Sequence, residues 1–135
     1  MVSDRLFPKL RQHFSDCGLR LGRAPDRSVV FPAEHPEVGD IEIYDDGDEV
    51  TAYLGRFTHV HFFNYDENLP EEQAAEKIAD DVVAFLKRLF ADEVVLLGSH
   101  KTGGGCCTRD REPQTPFSQN RGQEYVWSGP LATSG

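Results

Sequence analysis

Hydrophobic and polar residues alternate in two neighbouring segments near the middle of the chain. Isoleucine occupies every second position of residues 41–44, and apolar residues do the same in residues 50–54. A period of two is typical of a strand with one buried face. The intervening Asp45-Asp46-Gly47-Asp48 is turn-forming, because Gly tolerates positive φ and Asp can bond its own backbone. The pattern therefore predicts a β-hairpin.

The alternation resumes after Gly55 and predicts a third strand over residues 57–63. One face of this strand would carry Phe57, His59, His61 and Phe63. The opposite face would carry Thr58, Val60 and Phe62. The strand thus presents two histidines between two phenylalanines.

Two segments have the spacing of amphipathic helices. The first helix is predicted from Ser3 to about Cys17, although Pro8 fits only a first turn and would move the start towards Phe7. The second and stronger pattern predicts a helix from Pro70 to Ala91, with acids in its first turn and bases in its last. Its apolar face carries Ala75, Ile78, Val82, Leu86 and Leu89, widened by Ala79, Phe85 and Phe90.

The apolar run Val94–Leu97 predicts a buried strand, which we expect beside the hairpin. These elements together predict an α+β fold, in which an antiparallel sheet of about 4–5 strands carries both helices on one face. We expect residues 1–108 to form a single domain. Residues 109–135 form a polar C-terminal tail, which either docks through Tyr125–Trp127 or stays disordered.

The chain has 135 residues and a net charge of −9, and its acids are concentrated in one region. Residues 34–93 contain 17 acidic and 4 basic residues, a net charge of −13. The negative electrostatic field of this region disfavours binding to nucleic acid and to anionic membranes, and it favours binding to a basic protein partner. There is no signal-peptide core, and three cysteines do not make a secreted disulfide framework, so we expect a cytoplasmic location.

The acidic side chains of the hairpin turn and of the second helix could form one negative surface for such a partner. The candidate partner-binding residues are Asp45, Asp46, Asp48, Glu76 and Asp80. Each also has a simpler explanation, because turns and solvent-facing sides of helices are rich in acids.

The two histidines of the third strand are the candidate ligand-binding or metal-binding residues. Side chains two apart on a strand point the same way, so His59 and His61 could reach one metal ion. Asp66, His35 or His100 could complete the set, since zinc sites need three or four ligands. The alternative is that a histidine simply hydrogen-bonds on a partly buried face. Apart from this metal ion, no cofactor is predicted, and no catalytic motif is present.

The stretch from His35 to Glu49, together with Phe57-Thr58-His59 and the helix beyond, resembles a group of small bacterial proteins of unassigned function. The resemblance covers about residues 28–98, and the group has no assigned site residues to transfer. Some compact acidic proteins of this make-up are immunity proteins, which neutralise partner toxins. This analogy of size and charge, together with an acidic segment that has no catalytic motif, leads us to expect a non-catalytic, immunity-like binding protein. A small metal- or ligand-binding domain centred on the histidines is the alternative, and the histidine face could also form a homodimer.

Overall fold

A computed structural model describes residues 3–22, 27–47, 49–55, 57–64, 68–97, 105–108 and 124–130. The fold is α+β, as predicted, with a five-stranded antiparallel sheet, a second small sheet and two helices. None of the helices in these ranges is long and apolar enough to cross a membrane.

The main sheet follows the order of its strands along the chain, and every neighbouring pair is antiparallel. Its strands are β1 (Arg20–Leu21), β2 (Ser28–Phe31), β3 (Ile41–Asp45), β4 (Glu49–Leu54) and β5 (Thr58–Phe63). The predicted hairpin is β3–β4, with Ile43 opposite Ala52. Both side chains are fully buried, as the alternation requires.

Helix α1 spans Ser3–His13 and is followed by a 3-10 turn at Ser15–Cys17. The helix is thus shorter than predicted, and Gly18 ends the turn in the left-handed conformation at φ 71°. The expected shift of the start towards Phe7 is wrong, because Pro8 lies inside the helix. Pro8 has no N–H to donate to the preceding turn, but burial of the neighbouring apolar side chains offsets this loss.

Helix α2 spans Glu71–Phe90, with Pro70 at the N-cap position. Its buried face matches the predicted stripe and also includes Val83. Helices α1 and α2 pack against each other, and their apolar sides form one core with the inner face of the main sheet. The outer face of that sheet lies opposite the helices.

The strand after α2 does not join the main sheet, so its predicted position beside the hairpin is wrong. Strand β6 (Val94–Leu97) belongs to a second sheet of order β7-β6-β8-β9, with β7 at Gly105–Thr108, β8 at Tyr125–Val126 and β9 at Gly129–Pro130. The reason is geometric, since β2 already flanks one hairpin strand and β5 the other. Strand β6 is nevertheless buried and has a neighbour on each side.

An aromatic cluster joins the second sheet to the rest of the core. Trp127 is buried and lies 5.1 Å from Phe90, measured between ring centroids. Phe90 in turn contacts Phe14 at 5.3 Å and Phe31 at 5.1 Å. Residues 124–130 therefore pack against the C-terminal end of α2, whereas the division into a domain ending at residue 108 and a separate tail stays a prediction.

Candidate functional site

The outer face of the main sheet is the most distinctive surface of the described chain. Strand pairing aligns the side chains in rows, with Glu42 opposite Tyr53 and Tyr53 opposite His59. A second row aligns Tyr44, Thr51 and His61 in the same way. We call this surface the open sheet face and define it by Glu42, Tyr44, Tyr53, His59, His61 and Phe63.

Aromatic and imidazole rings form a continuous line across the open sheet face. Tyr44 meets Tyr53 edge-on at a centroid distance of 5.6 Å, and Tyr53 lies 5.7 Å from His59. His59 then contacts His61 at 5.0 Å. Tyr53 and Phe63 are each 41% exposed, which is unusual for such large side chains and makes them available to a partner.

The prediction that Phe57 shares this face is wrong. Strand β5 begins one residue later, at Thr58, and the Phe57 side chain is buried. Its ring lies 5.1 Å from that of Tyr125 in the second sheet. His59, His61 and Phe63 do point outward, as the alternation predicts.

His61 belongs to a polar cluster that fixes its orientation. The Thr51 hydroxyl donates to Asp46 Oδ2 at 2.5 Å, and Thr51 Oγ1 lies 3.1 Å from His61 Nδ1. Because the only hydroxyl proton is engaged by Asp46, His61 must donate its Nδ1 proton to Thr51. Glu49 Oε1 lies 3.6 Å from the same nitrogen. In the neutral ring, Nε2 is then the acceptor, which suits hydrogen bonding to a ligand.

The metal-site hypothesis gains no third ligand from the described residues. Within those ranges, no three His, Cys, Asp or Glu side chains are grouped so that they could hold a metal ion. His35 instead accepts a hydrogen bond from the backbone of Glu37 at 3.1 Å. Asp66 and His100, the other proposed ligands, lie outside the described residues.

Of the hairpin acids, Asp45 and Asp46 are described, and they point to different sides of the sheet. Asp45 continues the inward row of Ile41 and Ile43, is fully buried, and accepts the backbone N–H of Gly47 at 2.8 Å. Asp46 is exposed and takes part in the Thr51 cluster. Asp48 lies outside the described residues.

The two acids of α2 belong to the helical layer. The Lys9 ammonium contacts the carboxylates of both Glu76 and Asp80, the latter at 2.7 Å. These contacts raise the pKa of Lys9, chiefly through the hydrogen bond to Asp80 and then that to Glu76. Glu76 and Asp80 thus hold α1 against α2, on the side of the sheet away from the histidines.

A groove of about 850 Å³ crosses the β1–β4 part of the open sheet face. Glu42, Tyr44 and Tyr53 line it, together with Arg20 and Asp40, which form an ion pair at 3.5 Å. A separate cleft of about 1020 Å³ lies between the starts of the two helices and the hairpin end of the main sheet, where Gly47, Glu49 and Phe63 line it. Most of its carboxylates are in first helical turns, where they balance the helix dipoles, so it gives a weaker indication of binding.

Sequence reasoning missed Glu42, Tyr44 and Tyr53, although the signal was present. These residues occupy the polar positions of the alternating pattern, between the apolar positions from which the hairpin is predicted. What the pattern lacked was the register, which places Glu42 directly opposite Tyr53.

Comparison of the chain with protein-family models, curated proteins and solved structures finds no match. The resemblance of residues 28–98 to small bacterial proteins therefore stays a prediction.

Proposed function

We propose that this is a non-catalytic binding protein whose open sheet face docks against the basic surface of a protein partner. The observation that carries the proposal is a sheet face that neither helix covers, on which Tyr53 and Phe63 are exposed near carboxylates of the described residues. Protein interfaces are enriched in such large aromatic side chains, which contribute much of the binding energy. Both helices lie on the other side of the sheet, so a partner can approach this face directly.

The charge of the face favours a basic partner. Asp46 and Glu49 lie at one end and Glu42 lies near the middle, and Arg20 is the one lysine or arginine among the described residues that line the groove. The segment that supplies β3, β4 and β5, residues 34–93, carries a net charge of −13, part of which lies on α2 behind the sheet. This field attracts cations over a distance and repels a second copy of the chain. A homodimer is therefore the less favoured occupant.

Non-catalytic binding is also supported by the surroundings of Thr51, the hydroxyl residue beside His61. Its side chain is 4% exposed, and its proton is given to Asp46 rather than to His61. A nucleophile would need access to substrate and a base that accepts its proton. We further infer that the protein acts in the cytoplasm as an immunity-like inhibitor, which its small size and acidity support.

Site-specific crosslinking in cells of the source organism tests the proposal. A benzophenone amino acid replaces Tyr53 on the open sheet face or, as the control, Lys87 on the exposed side of α2. We expect Tyr53 to crosslink to one protein with a basic surface, and Lys87 not to do so. With that protein purified, Tyr53→Ala should weaken binding at least about tenfold, and raising the salt concentration should weaken it further.

Three results would overturn the proposal. These are equal crosslinking at both positions, a partner whose binding does not depend on salt, and crosslinking of Tyr53 only to a second copy of the chain.

A further inference from the structure

His59 and His61 have the geometry of a two-histidine metal chelate. They lie two residues apart on β5, both side chains are exposed, and their ring centroids are 5.0 Å apart. Two imidazoles that coordinate one tetrahedral ion, each at about 2.0–2.1 Å, place their ring centroids about 5 Å apart. The angle of 88° between the ring planes suits two ligands, because each ring can turn about its own metal–nitrogen bond. The spacing of the pair therefore already matches that of ligands to one ion.

The cluster behind His61 orients its ring as the rings of metal ligands are oriented. A histidine that coordinates a metal almost always donates its other ring N–H to a neighbouring acceptor, which fixes the tautomer. His61 donates its Nδ1 proton to Thr51 at 3.1 Å, and the Thr51 hydroxyl is held by Asp46. Thr51 is 4% exposed, so this support belongs to the packed sheet. The lone pair of His61 is thus on Nε2, as coordination through that nitrogen requires.

His59 contributes the second nitrogen. Its ring lies 5.7 Å from the Tyr53 ring and 5.0 Å from that of His61, measured between centroids, and these contacts limit how far it can turn. An imidazole has two nitrogens and coordinates a metal through one of them. A hydrogen bond at the other nitrogen of His59 is therefore compatible with coordination and would orient the ring further.

The ligand chemistry favours a divalent transition metal. Imidazole nitrogen suits zinc, copper and nickel, whereas magnesium and calcium prefer oxygen ligands. The carboxylate of Glu49, 3.6 Å from His61 Nδ1, and that of Asp46 favour a cation near the pair. The described part of the chain supplies no third protein ligand. Water is then the ligand for the remaining positions on this exposed face.

We propose that His59 and His61 hold one Zn²⁺ ion per chain, with water in its other coordination positions. Two protein ligands make a weaker site than the three or four of most zinc sites, so the ion exchanges with solution. The inference goes beyond the proposed function and is independent of it, since the ion needs no partner protein.

Calorimetric titration of the full chain with Zn²⁺, without a histidine tag, tests the site. Mg²⁺ in large excess occupies carboxylates that bind cations unspecifically and leaves imidazole nitrogens open. We expect one Zn²⁺ per chain, bound at least about tenfold more weakly by His59→Asn and by His61→Asn. The matched control His13→Asn removes an exposed histidine of α1, and it should change the affinity less than about twofold.

Thr51→Val is a further variant, because it keeps both ligands but removes the hydroxyl that orients His61. It should weaken Zn²⁺ binding about tenfold, with circular dichroism showing that the fold is retained. Equal affinity of the wild type and both histidine variants, loss of the Zn²⁺ signal in Mg²⁺, or one ion shared by two chains in sedimentation would overturn the proposed site. Crosslinking at Tyr53 can still succeed in each of these cases, so this failure is distinct from failure of the proposed function.

Discussion

Gly55 shows how one residue shapes both the fold and the groove. Its φ of 57° lies in the left-handed region, and its N–H donates to the Asp40 carbonyl at 3.0 Å. A Cβ at this position would overlap the carbonyl oxygen of Val38. The residue therefore lets the segment before β3 pack directly against the end of β4.

We predict that Gly55→Ala destabilises the protein by about 3 kcal/mol or more, because backbone strain and a backbone overlap occur together. The matched control is Gly47→Ala. Gly47 also has a positive φ, 103°, but a Cβ there would meet no atom within 4 Å. That variant should lose about 1 kcal/mol from strain alone. Urea unfolding followed by circular dichroism measures both values, and equal losses would contradict the proposed overlap.

At the scale of elements, the strength of the local pattern decided which parts of the fold were predictable. The hairpin and α2 have long, regular patterns, and the structure confirms both. Strands β1 and β8 have two residues each, which is too few to show any period. The predicted position of β6 was wrong for another reason, because a buried apolar run does not specify which strands pair with it.

The same limit applies to the candidate site. The period of two correctly predicted that His59 and His61 point outward. It could not predict the strand register that places His59 opposite Tyr53 and His61 opposite Thr51. The same limit applies to the helices. Lys9 contacts both Glu76 and Asp80, but its distance from them along the sequence does not predict these contacts.

We predict that Lys9→Met weakens the packing of α1 on α2 by less than about 1 kcal/mol at pH 7. The loss is small because the Asp80 side chain is 62% exposed and solvent screens the pair. The matched control, Lys77→Met, removes an exposed lysine of α2 and should have a smaller effect. Unfolding in urea at low salt measures both, and about 1 M NaCl should reduce the effect of Lys9→Met.

The pH dependence of this pair follows from the raised pKa of Lys9. Its stabilising effect is complete below the unfolded-state pKa of about 10.4. It is lost as the pH rises through the higher pKa of the folded state. The difference in unfolding free energy between wild type and Lys9→Met should therefore be constant from neutral pH to about pH 9. It should shrink once the pH exceeds the pKa of Lys9 in the unfolded state. A difference that shrinks already below pH 9 would show that Lys9 acts in another way.

At the scale of the whole molecule, the two sheets share one hydrophobic core. Trp127 and Leu96 of the second sheet's region join the same buried cluster as Phe31 of the main sheet and Leu86 of α2. Strand β8 also pairs directly with β6, with Tyr125 opposite Leu96. Residues 124–130 should therefore unfold together with the helices and the main sheet, rather than as a separate tail.

Truncation tests this cooperativity. A chain ending at residue 123 loses the buried Trp127 and Val126 and uncovers one side of β6, so we expect it to lose about 3 kcal/mol or more of unfolding free energy. A chain ending at residue 130 keeps these contacts and serves as the control, with stability near that of the full chain. Far-UV circular dichroism in urea compares all three chains without relying on the fluorescence of Trp127. Equal stability of the two truncated chains would mean that the domain ends before residue 124 and that the contacts of Trp127 add little to its core.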